Sequence, residues 1–397
     1  MTLKTFAQLG VSEPVAEALA ARDILMPFAI QALALPDGLA GHDILAKSRT
    51  GSGKTLAFGI PLVERIEASA KTPAALVLVP TRELASQVAE ELESIAAARG
   101  LRVGAVYGGT GVSASGKTAA RAHILIATPG RMEDLANRRM VALDNVQILV
   151  LDEADRMLDM GFAPQVDKIV KRLPEQRQTM FFSATLDGTV GSIARAYTYE
   201  PRRHEVETPT DLTDDAEHKF VPVTEENKLD ALIDLIGGPD THALVFVRTK
   251  RGADRLAEKL VARGVPAEPI HGDLRQSARE RALSRFDERK VSVLIATDVA
   301  ARGLDVDGIT HVINYDPPGD DKGYVHRIGR TARAGKSGTG ITFVLPTQTT
   351  EVSRMAARLN LHEEFEMEGM KVAPPQLVYK ARRGKNSLLG KRPRRRF

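Results

Sequence analysis

The stretch "ILVLDEADRML", residues 148 to 158, sets an uninterrupted apolar run directly against three carboxylates, Asp152, Glu153 and Asp155. A short apolar run flanked by charge reads as a strand buried on both faces of a parallel sheet. The carboxylates then fall where the strand leaves the sheet, beside the ends of its neighbours. Two explanations of that charge compete. An acidic helix start is favoured by the N-terminal dipole and needs no ligand. A site at the strand ends needs a cation, which the rest of the chain must supply.

The surrounding pattern extends the parallel sheet. From residue 40 onward, short β-rich runs alternate with helical stretches such as 82–99; the runs are "DILA", "ALVLVP", "HILIATP", "QILVLD" and "QTMFFSAT". Alternation of this kind predicts a doubly wound α/β domain over 1–207. The polar, acidic "TPTDLTDDAEH", 208–218, reads as a linker. Alternation resumes with "ALVFV", "PAEPIH", "VSVLIATD", "HVINYD" and "GITFVLP", which predicts a second α/β domain over 219–370. In such sheets ligands sit beyond the carboxyl ends of the strands.

Composition excludes several function classes. The 397 residues are 43% apolar and 27% charged, as in a globular protein. The longest apolar stretches are too short to span a bilayer, and "MTLKTFAQLG" has no secretory h-region. With no cysteine there are no disulfides and no thiolate zinc sites, and a cytoplasmic protein without membrane association is the expectation. The formal net charge of +4 hides an asymmetry, because the tail carries ten Lys or Arg and no acid, leaving about −6 for the body. The tail, 371–397, is expected to be disordered and to favour a polyanion, with anionic lipid or solubility as alternatives.

The cation enters at "KSRTGSGKT", residues 47–55, which follows "DILA". Gly51, Gly53, Lys54 and Thr55 match the end of a phosphate-binding P-loop, with Ser48 where the first glycine usually stands. Ser48, Arg49, Thr50, Gly51, Ser52 and Gly53 would wrap the phosphates; Lys54 would reach the β and γ phosphates, and Thr55 would hold Mg²⁺. Mg²⁺ on a nucleoside triphosphate also needs a carboxylate at a neighbouring strand end, and Asp152 fits. Glu153 is then left to orient and deprotonate the attacking water.

The literal Asp152-Glu153-Ala154-Asp155 narrows this further. With "PTREL" (80–84), Gly108-Gly109, "TPGR" (128–131), Ser183-Ala184-Thr185, "VFVRTK" (245–250), "QSARER" (276–281), "ATDVAARGLD" (296–305) and "HRIGRTAR" (326–333), the chain resembles the DEAD-box RNA helicases. The likeness runs from about Phe6 to about residue 350, with the motifs in family order, and within the family the chain looks like a compact bacterial member.

The resemblance implies two tandem RecA-like domains of the P-loop NTPase, superfamily 2 type, closing on ATP, Mg²⁺ and one RNA strand. It implies that Gln31 reads the adenine edge, that Phe6 stacks on the base and that Asp305 binds the ribose. Arg330 and Arg333 would reach the γ-phosphate as arginine fingers. Ser183, Thr185 and His326 are implied at the catalytic centre, with His326 linking the domains. Thr81, Arg82, Gly109, Thr128 and Arg131 in the first domain, and Thr249, Gln276, Arg279 and Thr297 in the second, would meet RNA phosphate and sugar. The chain departs from the family pattern at Ile24, Phe28, Ala29 and Ala332. Its function is then RNA-stimulated ATP hydrolysis coupled to local duplex unwinding, compatible with ribonucleoprotein, RNA-decay or ribosome-assembly partners. A translocating DNA helicase and an ATP-gated RNA clamp are the rival readings.

Overall fold

A computed structural model describes residues 4–48, 52–186, 188–206, 216–238, 240–301, 306, 308–331, 338–367 and 369–371. The first sheet has seven parallel strands: β1 (Ile44–Lys47), β2 (Ala75–Leu78), β3 (Val103–Val106), β4 (Ile124–Ala127), β5 (Ile148–Leu151), β6 (Gln178–Ser183) and β7 (Arg202–Glu205). Their spatial order is β3-β4-β2-β5-β6-β1-β7. The second sheet has six parallel strands: β8 (Ala216–Pro222), β9 (Ala243–Phe246), β10 (Ala267–Ile270), β11 (Val293–Ala296), β12 (His311–Asn314) and β13 (Gly338–Val344). Its order is β10-β11-β9-β12-β13-β8.

The quoted apolar run is β5, hydrogen-bonded between β2 and β6 and buried along its length. Strand geometry alternates its side chains between two cores. Ile148 and Val150 join Phe58, Leu92 and Phe182 on one face, while Leu149 and Leu151 join Met132, Met157 and Phe181 on the other. A central strand with helices on both faces has no solvated side, which is why it reads as continuous Ile, Leu and Val.

Strand order carries the chemistry. Because β6 lies between β5 and β1, the loop after β1 and the acidic loop after β5 flank Ser183 at the end of β6. The helix after the β1 loop, Lys54–Arg65, is held to the sheet by Phe58, whose ring meets Phe182 of β6 edge to face at 5.4 Å. Both rings are fully buried.

Three strands lie outside the runs recognised in the sequence, and all three are edges. β3 is half-buried, and β7 reads Arg-Arg-His-Glu. β8 begins at Ala216, inside the stretch expected to be a linker over 208–218, and pairs with β13 from Gly338↔Ala216 onward. Ala216, His218 and Phe220 face inward while Glu217 and Lys219 face out, so its charged positions are the solvent face of an alternating edge strand. The tail 371–397 lies outside the described residues apart from Lys371.

Truncating Phe182→Ala removes one half of the ring pair and is expected to cost about 3–5 kcal/mol. Urea unfolding should show the first domain's transition moved to lower urea, with the second domain's transition in place.

Candidate nucleotide and nucleic-acid site

Gly53 closes the β1 loop with φ +80°, a conformation that side chains disfavour. A Cβ there would also fall 2.5 Å from Phe28 Cδ2 and 2.6 Å from Gln31 Nε2. Lys54, at the first turn of the following helix, is 7% exposed, and its Nζ donates to the Ser48 carbonyl at 3.3 Å. Ser48, buried, accepts from the Ser52 hydroxyl at 3.0 Å, so the serine in place of the first glycine braces the loop. Thr55 is partly exposed beside Lys54. Arg49, Thr50, Gly51, Asp305 and Arg333 lie outside the described residues.

Gln31 is buried, with Oε1 accepting from the Phe28 N–H at 2.9 Å and Nε2 donating to the Gly53 carbonyl at 2.8 Å. An amide oxygen accepts twice and an amide nitrogen donates twice, so one acceptor and one donor capacity remain. Phe6 is 3% exposed and packs into the first domain's core, which leaves little of its ring for a base.

At the end of β5 two adjacent carboxylates are buried. Asp152 Oδ1 accepts from the Glu153 N–H at 2.9 Å. Burial pushes the Asp152 carboxyl up to about 6, against the opposing pull of the Lys54 charge. Burial pushes Glu153 the same way, but the Arg156, Lys54 and Arg330 charges outweigh it and hold its carboxyl below the usual range. Arg156, three residues on along the helix, makes a direct ion pair with Glu153. Glu153 itself adopts φ +50°, ψ +46°, a strained backbone for a residue with a side chain. The N–H of Thr185 donates to the buried Ser183 hydroxyl at 3.3 Å.

The second domain completes the seam. His326 and Arg330 line a small cavity with Arg156, Phe246, Asp298 and Arg327. Arg330 is 5% exposed and lies close enough to Glu153 to lower its pKa. Arg327, in the same motif, is structural: it holds Asp298 with two bonds of 2.6 and 2.7 Å, donates to Asn314 at 2.9 Å, and lies over the Phe246 ring.

A second cleft, about 450 Å³, is lined by Thr81, Arg82, Gly108, Thr128, Gly130 and Arg131 from the first domain and by Gly272 and Arg279 from the second. Thr81 caps the helix Arg82–Ala97 by accepting from Leu84 N–H at 3.2 Å, and Thr249 caps Lys250–Ala262 by accepting from Gly252 N–H at 3.0 Å. The Arg82 guanidinium lies over Gly109, whose φ is +94° and where a Cβ would fall 2.4 Å from Arg82 Nη1. Arg131 is anchored on Ser115 Oγ at 2.7 Å and the Thr110 carbonyl at 2.8 Å, and so fixes the loop carrying Gly109. Arg279 is committed to Glu83 across the domains at 2.8 Å and to the His271 carbonyl at 3.2 Å. Gln276 donates to Glu280 at 3.0 Å while its Oε1 is buried without a partner, and Thr297 is buried. Glu83, Arg156 and Arg327 were not singled out from the sequence. For Arg156 the helical i+3 spacing from Glu153 was an available signal.

The chain matches the family model described as DEAD/DEAH box helicase over residues 28–193, and the helicase conserved C-terminal domain over 227–335. It is 42% identical to the DEAD-box ATP-dependent RNA helicase CshA of Geobacillus kaustophilus, over 94% of this chain and 79% of that protein. It is 43% identical to CshA of Bacillus subtilis, over 87% of this chain and 70% of that protein. Among solved structures it is similar to S. cerevisiae Dbp5 bound to RNA and ADP BeF3, with TM-score 0.80, 31% identity, and 92% and 93% of the two chains covered. Mss116p bound to ssRNA and AMP-PNP is similar at TM-score 0.79 and 26% identity, over 90% and 78% of the two chains.

The raised Asp152 pKa makes this carboxylate a burden on the nucleotide-free protein. Below about pH 4 both folded and unfolded chains hold the proton; as pH rises to about 6 the unfolded chain releases it more readily, and stability falls. Asp152→Asn is therefore expected to raise nucleotide-free stability at pH 7 by on the order of 2 kcal/mol, with the gain vanishing near pH 4. Thermal unfolding with a chelator present, across that pH range, checks the sign.

Proposed function

Because the chain belongs to the DEAD-box family and is an ATP-dependent RNA helicase, we propose that its two clefts divide the work into hydrolysis and strand holding. The observation that carries this is the burial of Asp152 and Glu153 beside Lys54, with Arg330 of the other domain acting on Glu153. Lys54 neutralises the β and γ phosphates, and loop N–H groups hold their oxygens. Asp152 and Thr55 would hold Mg²⁺, which would supply positive charge against that developing on the phosphates. The donor set fits: a buried carboxylate resisting ionisation wants a cation, and Mg²⁺ takes one or two carboxylates with phosphates and water. Among the described residues no cluster of three His, Asp or Glu side chains offers an all-protein metal site.

Glu153, kept ionised by Arg156, Lys54 and Arg330, takes the proton of the attacking water. Arg330 and Arg333, carried by the second domain, stabilise charge on the transferred phosphoryl group. His326 and Ser183 with Thr185 couple that event to domain closure. Gln31 recognises the adenine edge with its remaining donor and acceptor.

The larger cleft, with Thr81, Arg82 and Thr128 on its wall, takes the phosphates and sugars of one RNA strand, which Gly109, Thr249 and Thr297 also contact in this proposal. The unpartnered Gln276 Oε1 suits a ribose 2′-hydroxyl, which DNA lacks. Arg131 and Arg279 shape this cleft through their protein partners. We place the protein in the cytoplasm; no helix among the described residues is long and apolar enough to cross a membrane.

ATPase rates without nucleic acid, with RNA, and with DNA of the same sequence test the reading. RNA alone should stimulate strongly; equal stimulation by DNA would favour a DNA helicase. Glu153→Gln should still bind ATP and RNA while turnover falls about 10²–10⁴-fold, as for loss of a general base. Turnover near that of the unsubstituted protein would remove Glu153 from the chemistry.

The tail 371–397 adds electrostatic RNA affinity in this proposal. If about five of its ten charges engage single-stranded RNA, deletion flattens the slope of log K against log salt by roughly 3–4. Binding measured at 50 and 200 mM salt checks this, while ATP turnover at saturating RNA should hold steady.

A further inference from the structure

Phe28 is 63% exposed, and no other phenylalanine among the described residues presents an exposed ring. It stands at the mouth of the triphosphate loop. Its N–H is held by Gln31 Oε1 at 2.9 Å, and its ring edge approaches the last loop glycine so closely that a Cβ on Gly53 would fall 2.5 Å from Cδ2. Phe6, the aromatic expected to stack on the base, is buried in the core and does not offer its face. An exposed aromatic face next to an amide with one donor and one acceptor left has the chemistry of a purine clamp. The amide reads the edge and the ring covers the face.

We propose that Phe28 stacks on the purine base of the bound nucleoside triphosphate and so sets nucleotide affinity in this chain. The inference rests on the reading of Gln31 as the adenine-edge reader. Stacking is indifferent to which purine is present, so Phe28 supplies affinity and Gln31 supplies the choice of ATP over GTP. Two neighbouring side chains, Leu25 and Met26, are also exposed, so the competing occupant is a protein surface.

The chain has no tryptophan, so Phe28→Trp introduces a single indole reporter at the site. In the full-length protein, Phe28→Ala should raise the Kd for ATP about tenfold and leave that for inorganic tripolyphosphate unchanged. Phe28→Trp should restore ATP affinity, with indole emission quenched by ATP and not by tripolyphosphate. An unchanged ATP Kd in Phe28→Ala, or an indole blind to ATP, overturns the proposal. Gln31→Ala separates the two layers. If it abolishes the preference for ATP over GTP while Phe28→Ala binds ATP normally, the ring assignment fails and the edge reading stands. If neither substitution alters ATP binding or preference, the base pocket lies elsewhere and both fail.

Discussion

Two neighbouring carboxylates buried at the end of one strand, with a lysine from another strand's loop, are the constraint around which the first domain is organised. Neither Asp152 nor Glu153 would persist as an anion there alone, since burial disfavours both. Their environments differ in the positive charge at hand: Arg156 and Arg330 act on Glu153 alongside Lys54, while Lys54 is the cation acting on Asp152. One carboxylate is thereby kept ionised and the other is left short of positive charge. That division suits the first to the proton transfer and the second to the cation binding proposed for them.

The central strands were legible because nothing about them is ambiguous. β2, β4, β5, β9 and β11 are buried on both faces, and such strands carry apolar residues at every position. The edges β3, β7 and β8 escaped for the opposite reason: an edge in contact with water tolerates Arg-Arg-His-Glu or Ala-Glu-His-Lys, which read as loop. At the site, Gly53, Lys54 and Asp152 lie where their local sequence pattern put them, at the β1 loop and the end of β5. The roles of Glu83 and Arg279 were not legible, because their partnership spans 196 positions of sequence and only the tertiary fold brings them together.

Arginine illustrates how one residue type is divided among tasks. Arg327 ties Asp298, Asn314 and Asp316 together inside the second domain, and Arg131 braces the Gly109 loop. Arg330, three residues after Arg327, points its charge at the other domain. In sequence "HRIGRTAR" offers three similar cations. Burial and partners distinguish Arg327, tied within its own domain, from Arg330, whose charge acts on Glu153, because a planar fork of five donors serves either arrangement. The two domains also repeat one device, a threonine capping a helix, in Thr81 and Thr249.

The Glu83–Arg279 pair has its two halves in different domains, and each side chain is less than 10% exposed. Forming it strips water from a carboxylate and a guanidinium at once, while opening the cleft returns that hydration. Hydration of ions carries a strongly negative entropy, so the stripping cost shrinks as temperature rises. This contact therefore makes the closed arrangement comparatively easier to reach in warmth and harder in the cold. Added salt screens a dry pair weakly and has little leverage on it. The same two residues that join the halves of the molecule thus give their union a thermal bias.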